Sequence, residues 1–451
     1  MPSFLSREAT IAPTGYNRWF VPPAALAIHL CIGQIYAYSV FNKPMTMLVG
    51  ITESAPTDWK LTQLGWIFSI ALFVLGASAA IFGKWVERVG PRMAMFTAMI
   101  CFSGGFFISA LGIDLHNIWL IYLGHGLLGG IGLGLGYISP VSTLIKWFPD
   151  RPGLATGLAI MGFGGGAMIA SPLSLKLMST FATETSLGVG QTFVAMGILY
   201  AVVMSLGGLI VRIPPENYVV QSSAGTSPIS DTHEFTADEA IRTPQFWLVF
   251  LVLMLNVTAG IGVLGQASVM IQEMFSNATV GEQLSVTAAG AAGFVGLLSL
   301  FNMLGRFVWS SLSDLIGRKN TYSIFFILGT ILYLSIPSLG KLHQPLYFII
   351  AFCVIISMYG GGFATVPAYL RDLFGTKQVG AIHGRLLVAW SLAAVFGPSL
   401  INYIRAYQIE TLHVPASEAY STTMYIMAGL LIIGLICNLM IKPLKIEPTN
   451  S

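Results

Sequence analysis

Charged residues are scarce in this chain of 451 residues. Asp, Glu, Lys and Arg make up 9% of it, against about 25% in soluble domains. Hydrophobic residues make up 55%, and apolar runs long enough to cross a bilayer recur along the whole length. This pattern excludes a soluble globular protein. Because twelve such runs can be counted, from Trp19–Phe41 to Thr423–Ile441, the sequence predicts an all-α membrane protein with twelve transmembrane helices.

Cysteine is scarce as well, and all four cysteines lie inside apolar runs: Cys31, Cys101, Cys353 and Cys437. They lack metal-ligand spacing, so neither a disulfide framework nor a metal centre is predicted. The glycine-rich stretches 129–136, 162–166 and 360–362 are not followed by the Lys-Ser/Thr pair of a phosphate loop. Motifs for ATP hydrolysis and covalent catalysis are missing too. We therefore expect neither an enzyme nor a bound cofactor, and no nucleic-acid partner.

The few basic residues are distributed unevenly. Most of the 22 Lys and Arg residues lie in segments that share one side of the membrane if both termini are on that side. Cytoplasmic loops are enriched in Lys and Arg, so this side is predicted to be cytoplasmic. We expect a multi-pass protein of the bilayer, in a bacterial inner (plasma) membrane, with a monomeric functional unit.

The chain also repeats itself. Residue types recur at a constant offset of 227 residues in five pairs: Glu87 with Asp314, Gly90 with Gly317, Arg92 with Lys319, Pro140 with Pro367, and Gly157 with Gly384. The segment between the repeats is rich in Pro, Ser, Thr and acidic residues, as linkers are. The predicted organisation is a six-helix bundle over residues 1–212, a cytoplasmic linker over 213–243 and a second six-helix bundle over 244–451. A substrate path is expected between the bundles, near the midplane.

Several motifs carry a family resemblance. Residues 83–92 and 314–319 resemble the loop motif that the major facilitator superfamily repeats in its two halves. Four further segments are similar to the oxalate:formate antiporter family, which is related to monocarboxylate porters: 33–41, 136–140, 146–153 and 375–385. The resemblance implies the major facilitator fold and a small carboxylate substrate. It leaves open whether a proton is co-transported or an anion is counter-transported.

The loop motif predicts a conformational latch. Its carboxylates, Glu87 and Asp314, can pair with basic groups and with a helix N-terminus, and can hold one side of the bundles together. The basic members of the predicted latch are Arg88, Arg92 and Arg318. The alternative is an ordinary charged turn that only follows the topology rule.

One charged side chain, Arg306, lies inside a predicted span. It is roughly 12 Å along a helix from the nearest cytoplasmic charge, Asp314. A cation at this depth costs several kcal/mol unless it faces a partner or a wet cavity, and the predicted spans contain no Asp or Glu. Its repeat equivalent is Ala79, so the scaffold does not require a cation here. We predict that Arg306 binds a carboxylate; the alternative is a structural arginine capped by backbone carbonyls.

Other polar residues in the spans are candidates for the same site. Asn302 lies one helical turn before Arg306, where monocarboxylate porters commonly have an acid, and it could position the arginine or contact the substrate. The remaining candidates to line the site are Tyr137, Tyr359, Tyr36 and Gln34. The groups able to carry a proton near neutral pH are His29, His125 and His383. For each of these residues, ordinary helix packing is the alternative.

The substrate's charge can be predicted from the resemblance. Oxalate transporters of this family have a second cation, a lysine in helix 11, and its place here is taken by Trp390. One cation matches one carboxylate, whereas a dianion would keep an unpaired charge. The predicted function is alternating-access transport of a monocarboxylate such as lactate, pyruvate or formate, by proton symport or anion exchange. The alternatives are an exporter of larger amphiphilic or siderophore-like compounds and a non-transporting membrane sensor of carboxylates.

Overall fold

Within the described residues of the computed structural model, twelve helices are long and apolar enough to cross a membrane, which confirms the predicted all-α class. The structure describes residues 4–13, 15–215, 218, 234–276, 285–286, 288–342 and 344–444. In chain order the helices are α1 (Arg18–Ala37), α2 (Leu61–Val89), α3 (Pro91–Asp114), α4 (Ile118–Trp147), α5 (Pro152–Phe181), α6 (Val189–Ile210), α7 (Pro244–Met274), α8 (Ala288–Ile316), α9 (Arg318–Lys341), α10 (Pro345–Phe374), α11 (Val379–Thr411) and α12 (Ser421–Met440).

Two equivalent turns end α2 and α8. Gly90 has φ +87° and Gly317 has φ +85°, a conformation that glycine adopts without steric cost, and the next helix starts immediately after each. Each turn leaves a carboxylate three residues before the glycine, Glu87 on α2 and Asp314 on α8. The repeat in sequence is therefore also a repeat in local structure.

Two helix pairs make the most extensive contacts between the halves of the chain, α2 with α11 and α5 with α8. A Cβ atom on Gly384 of α11 would lie 2.2 Å from the Ala79 carbonyl oxygen of α2. A Cβ atom on Gly157 of α5 would lie 2.9 Å from the Arg306 carbonyl oxygen of α8. Gly157 and Gly384 are repeat equivalents, and so are Ala79 and Arg306. The two interfaces are thus one packing arrangement used twice, and they bring Arg306 to the boundary between the halves.

The described ends of the chain lie on one face of the molecule. Arg212 donates to the Ala9 carbonyl, and Lys319 donates to the carbonyls of Leu439 and Ile441. The turns after α2 and α8 lie on the same face. We call it the basic face.

The end of the predicted linker docks on the basic face. Its short helix Ala237–Ala240 places Asp238 between Lys84 of α2 and Arg385 of α11, with an ion pair to each. Asp238 therefore connects the two halves of the chain. Residues 216–217 and 219–233 of the predicted linker lie outside the described residues.

Candidate functional site

Arg306 is fully buried where α8 meets α5. Its Nε donates to Asn302 Oδ1 over 3.1 Å, and its Nη1 lies 3.5 Å from the Ile160 carbonyl oxygen. Nη2 has no hydrogen-bond partner among the described residues, and none of their carboxylates forms an ion pair with the guanidinium. Asn302 thus holds the guanidinium by one edge while Nη2 stays free to donate. The glycine run on α5 provides the space, since a Cβ atom on Gly164 would lie 3.1 Å from Arg306 Nε.

Aromatic rings surround the guanidinium. Its central carbon lies 5.9 Å from the Phe163 ring centre and 5.2 Å from that of Phe363, within cation–π range. Trp390 contacts both rings, with centroid distances of 5.5 Å to Phe163 and 4.8 Å to Phe363. Phe163 and Trp390 are repeat equivalents at the offset of 227, so the site lies where matching helices of the two halves face each other.

Three tyrosines complete the set of aromatic side chains around Arg306. The Tyr36 and Tyr137 rings contact Phe163 at 5.1 and 5.5 Å, and the Tyr359 ring contacts Phe363 at 5.3 Å. All three hydroxyls lie within electrostatic reach of Arg306. We call this set the aromatic box; its members are Phe163, Phe363, Trp390, Tyr36, Tyr137 and Tyr359.

The aromatic box holds buried polar atoms without partners. In the described part of the chain, these include the three tyrosine hydroxyls and the indole N–H of Trp390, in addition to Arg306 Nη2. An unsatisfied buried donor or acceptor costs about 1–3 kcal/mol. Four such atoms around the free Nη2 of one cation form a site that a small anion can satisfy.

Two predicted members of the site differ in position. Asn302 contacts Arg306 directly, as predicted from its place one turn earlier. Gln34 is fully buried on α1, next to Gly33, which packs against the Phe163 backbone. Its amide atoms have no hydrogen-bond partner among the described residues, so Gln34 does not hydrogen-bond to Arg306.

The three histidines lie in two places. His29 stacks on the Tyr137 ring at 5.3 Å, and the His383 ring lies 5.7 Å from that of Tyr137, so both adjoin the aromatic box. His383 is four residues after Val379, where α11 begins, and it lies at the end of the box nearest the basic face. His125 lies apart, 4.6 Å from the ring of Tyr38 in a different aromatic cluster.

Asp314 joins the halves at the basic face. Its carboxylate accepts from the backbone N–H groups of Gly153 at 2.9 Å and Leu154 at 2.8 Å, in the first turn of α5. Arg318 donates to the same carboxylate and to Asp372. A carboxylate at a helix N-terminus is stabilised by the helix dipole as well as by these hydrogen bonds.

Glu87 makes the equivalent connection. It accepts from the backbone N–H of Gly380 at 3.1 Å, near the start of α11, and from the Ser142 hydroxyl at 2.6 Å, and it forms an ion pair with Lys146. The two predicted latch carboxylates therefore each contact a helix start in the other half of the chain.

Two basic residues of the predicted latch lie away from its carboxylates. Arg92 is buried at the start of α3, where it donates to the Phe4 carbonyl oxygen and stacks over the Phe4 ring. Arg88 is exposed near the end of α2. Lys146, which the sequence interpretation did not include, takes the place beside Glu87.

Two repeated sets of membrane helices around a buried, unpaired cation define a membrane transport protein of the two-bundle class. The model of the Major Facilitator Superfamily matches residues 24–398 and 261–450, and the chain belongs to this family.

Individual relatives confirm the predicted resemblance. The chain is similar to the oxalate:formate antiporter of Oxalobacter formigenes, with 27% identity over 387 residues, 85% of this chain and 84% of that protein. It is also similar to apicoplast pyruvate carrier 1 of Toxoplasma gondii, with 22% identity over 436 residues, 85% and 76% of the two chains. The crystal structure of the fucose:proton symporter of Escherichia coli shares the fold, with a TM-score of 0.66 and 13% identity over 94% of this chain and 100% of that chain.

Proposed function

We propose that this protein is a secondary active transporter that moves small monocarboxylates across the membrane by alternating access. The observation that carries the proposal is the free Nη2 of Arg306, buried in the aromatic box with no protein carboxylate beside it. A substrate carboxylate would accept from Nη2 and would neutralise a charge that is expensive at membrane depth.

The shape and charge of the site favour a small acid with one carboxylate. One guanidinium balances one negative charge, and Trp390 occupies the place of a second cation with an uncharged ring. The tyrosine hydroxyls and the indole N–H can donate hydrogen bonds to the remaining oxygens of the substrate. Similarity to an oxalate:formate antiporter and to a pyruvate carrier supports the same class of small carboxylates.

We infer that the latch carboxylates hold the basic face closed around the buried substrate site. Asp314 and Glu87 each bind a helix start in the opposite half, so separating the halves at this face breaks both sets of hydrogen bonds. The excess of Lys and Arg supports a cytoplasmic basic face, and we propose a bacterial inner membrane and a monomeric functional unit.

Uptake into proteoliposomes tests the proposal. Labelled lactate, pyruvate, formate and oxalate are compared in wild type, Arg306→Gln and Arg306→Lys. We expect Arg306→Gln to lower monocarboxylate uptake by at least about thirtyfold, since losing one partner of a buried charge pair costs about 2 kcal/mol or more. Arg306→Lys keeps the charge but loses the paired donors, so its loss is smaller.

Lys341→Gln is the matched control, because Lys341 is exposed and far along α9 from the box. Unchanged saturable uptake in Arg306→Gln would show that the anion does not bind there. Stabilisation by large amphiphiles, with none by small acids, would favour the exporter alternative.

A further inference from the structure

Both ring nitrogens of His29 face backbone carbonyl oxygens. Nδ1 lies 2.8 Å from the Ala159 oxygen of α5, and Nε2 lies 3.2 Å from the Tyr137 oxygen of α4. The Gly136 carbonyl is also within reach, and its usual helical donor is missing because residue 140 is a proline. His29 is fully buried.

This arrangement suits a protonated ring. A neutral imidazole has one N–H donor and one acceptor nitrogen, so it can satisfy only one of two facing carbonyls. In that form the other nitrogen lone pair points at an oxygen lone pair. An imidazolium donates from both nitrogens, so only the charged form makes both hydrogen bonds.

Burial and, to a smaller extent, the nearby cation Arg306 both oppose a charge on His29. The charged and titratable groups within reach of its ring are Arg306 of α8, His383 of α11 and Tyr137 of α4. Among the described residues, no carboxylate faces it from the helices packed on α1, which are α4, α5 and α6. Arg306 repels a proton on His29 in the empty site, and a carboxylate bound to Arg306 removes that repulsion.

We propose that His29 binds the transported proton, and that proton and carboxylate bind cooperatively at His29 and Arg306. The proposal rests on the proposed function and deepens it, because it selects proton symport over anion exchange. Cooperativity is reciprocal: protonating His29 raises carboxylate affinity by the same factor by which the carboxylate raises proton affinity, on the order of tenfold for a coupling of this kind.

The other histidines lack this geometry. Both nitrogens of His383 and of His125 are buried without a hydrogen-bond partner among the described residues. Protonation there would create a buried charge with no acceptor to receive either N–H. His125 is, in addition, separated from Arg306 in the cluster around Tyr38.

Proteoliposome assays of His29→Gln test the proposal, with His125→Gln as the matched control. Gln stays uncharged, so it cannot bind a proton in place of the ring. In wild type and His125→Gln, an acidic exterior should stimulate lactate uptake about tenfold or more. His29→Gln should lose this stimulation while retaining measurable lactate counterflow, which needs no net proton movement.

A second readout uses detergent-solubilised protein and a pH-indicator dye. Adding lactate should take up one proton per bound anion in wild type and none in His29→Gln; this measurement does not depend on reconstitution. Full acid stimulation and normal proton uptake in His29→Gln would overturn the assignment of His29 and leave the function intact. Absence of counterflow of lactate, pyruvate and formate in the wild type would instead refute the proposed function.

Discussion

The contact of Gly384 with α2 allows a sharp test of how the halves close. A Cβ atom added at Gly384 would lie 2.2 Å from the Ala79 carbonyl oxygen, and real Cβ atoms essentially never approach within 3.0 Å. The neighbour is backbone and cannot rotate away. In Gly384→Ala, α11 must therefore move away from α2 by about 1 Å, and such overpacking costs about 1–3 kcal/mol.

In the proposed transport cycle this cost falls on the state in which the basic face is closed, because that is the state in which α2 and α11 touch at this point. The opening equilibrium should therefore shift by about 5-fold to 150-fold, as 1–3 kcal/mol implies. Thr143 reports the change, since it is 3% exposed and lines a cavity of about 340 Å³ at the basic face. In a background without native cysteines, a cysteine at position 143 should react faster with a membrane-impermeant maleimide in Gly384→Ala.

Gly296→Ala provides the matched control, because a Cβ atom at Gly296 would meet nothing within 4 Å. Gly296→Ala gives the same gain in helix propensity, but its added methyl group collides with no neighbouring atom. Equal labelling rates in the Gly384→Ala and Gly296→Ala proteins would refute the reasoning, because the added methyl group at Gly384 would then have no effect on closure.

Two further predictions concern the aromatic box and the linker. Trp390→Lys adds a second cation to the box, so oxalate should inhibit lactate uptake about tenfold more strongly than in Trp390→Phe; equal inhibition would contradict the charge-matching argument. Lys84 and Arg385 lower the pKa of Asp238 to about 2, so their attraction should persist above pH 3.8 and weaken only as the pH falls towards 2. Asp238→Asn should therefore speed amide hydrogen exchange across residues 234–240 at neutral pH; unchanged exchange would show that the ion pairs do not hold this segment.

The sequence predicted the features that depend on position along a single helix. Arg306 could be placed at membrane depth, and Asn302 on its face, because helical rise and periodicity fix both. The repeat placed Glu87 and Asp314 in equivalent turns, and both carboxylates contact helix starts in the structure. Composition and the recurring apolar runs were enough for the all-α membrane class.

Features that depend on which helices meet were harder to predict. Phe163 and Phe363 were missed because an aromatic residue in an apolar helix gives the same signal whether it packs in the core or against a cation; the chain has 28 Phe. Phe163 did carry a signal, its match to Trp390 at the repeat offset. The carbonyl contacts of His29 depend on the approach of α4 and α5, which no pattern within α1 reveals.

In the packing arrangement used twice between the halves, backbone atoms make the helix–helix contact and the side chain is left for substrate binding. Ala79 and Arg306 occupy the same structural place, and both accommodate a crossing glycine through their backbone carbonyls. The side chain at this place is therefore free to change without disturbing the joint. After a gene duplication, one copy can keep the joint while the other acquires a charge. Consistent with this division, the partners of Tyr137 and Tyr359 at the repeat offset are the small residues Ala364 and Gly132.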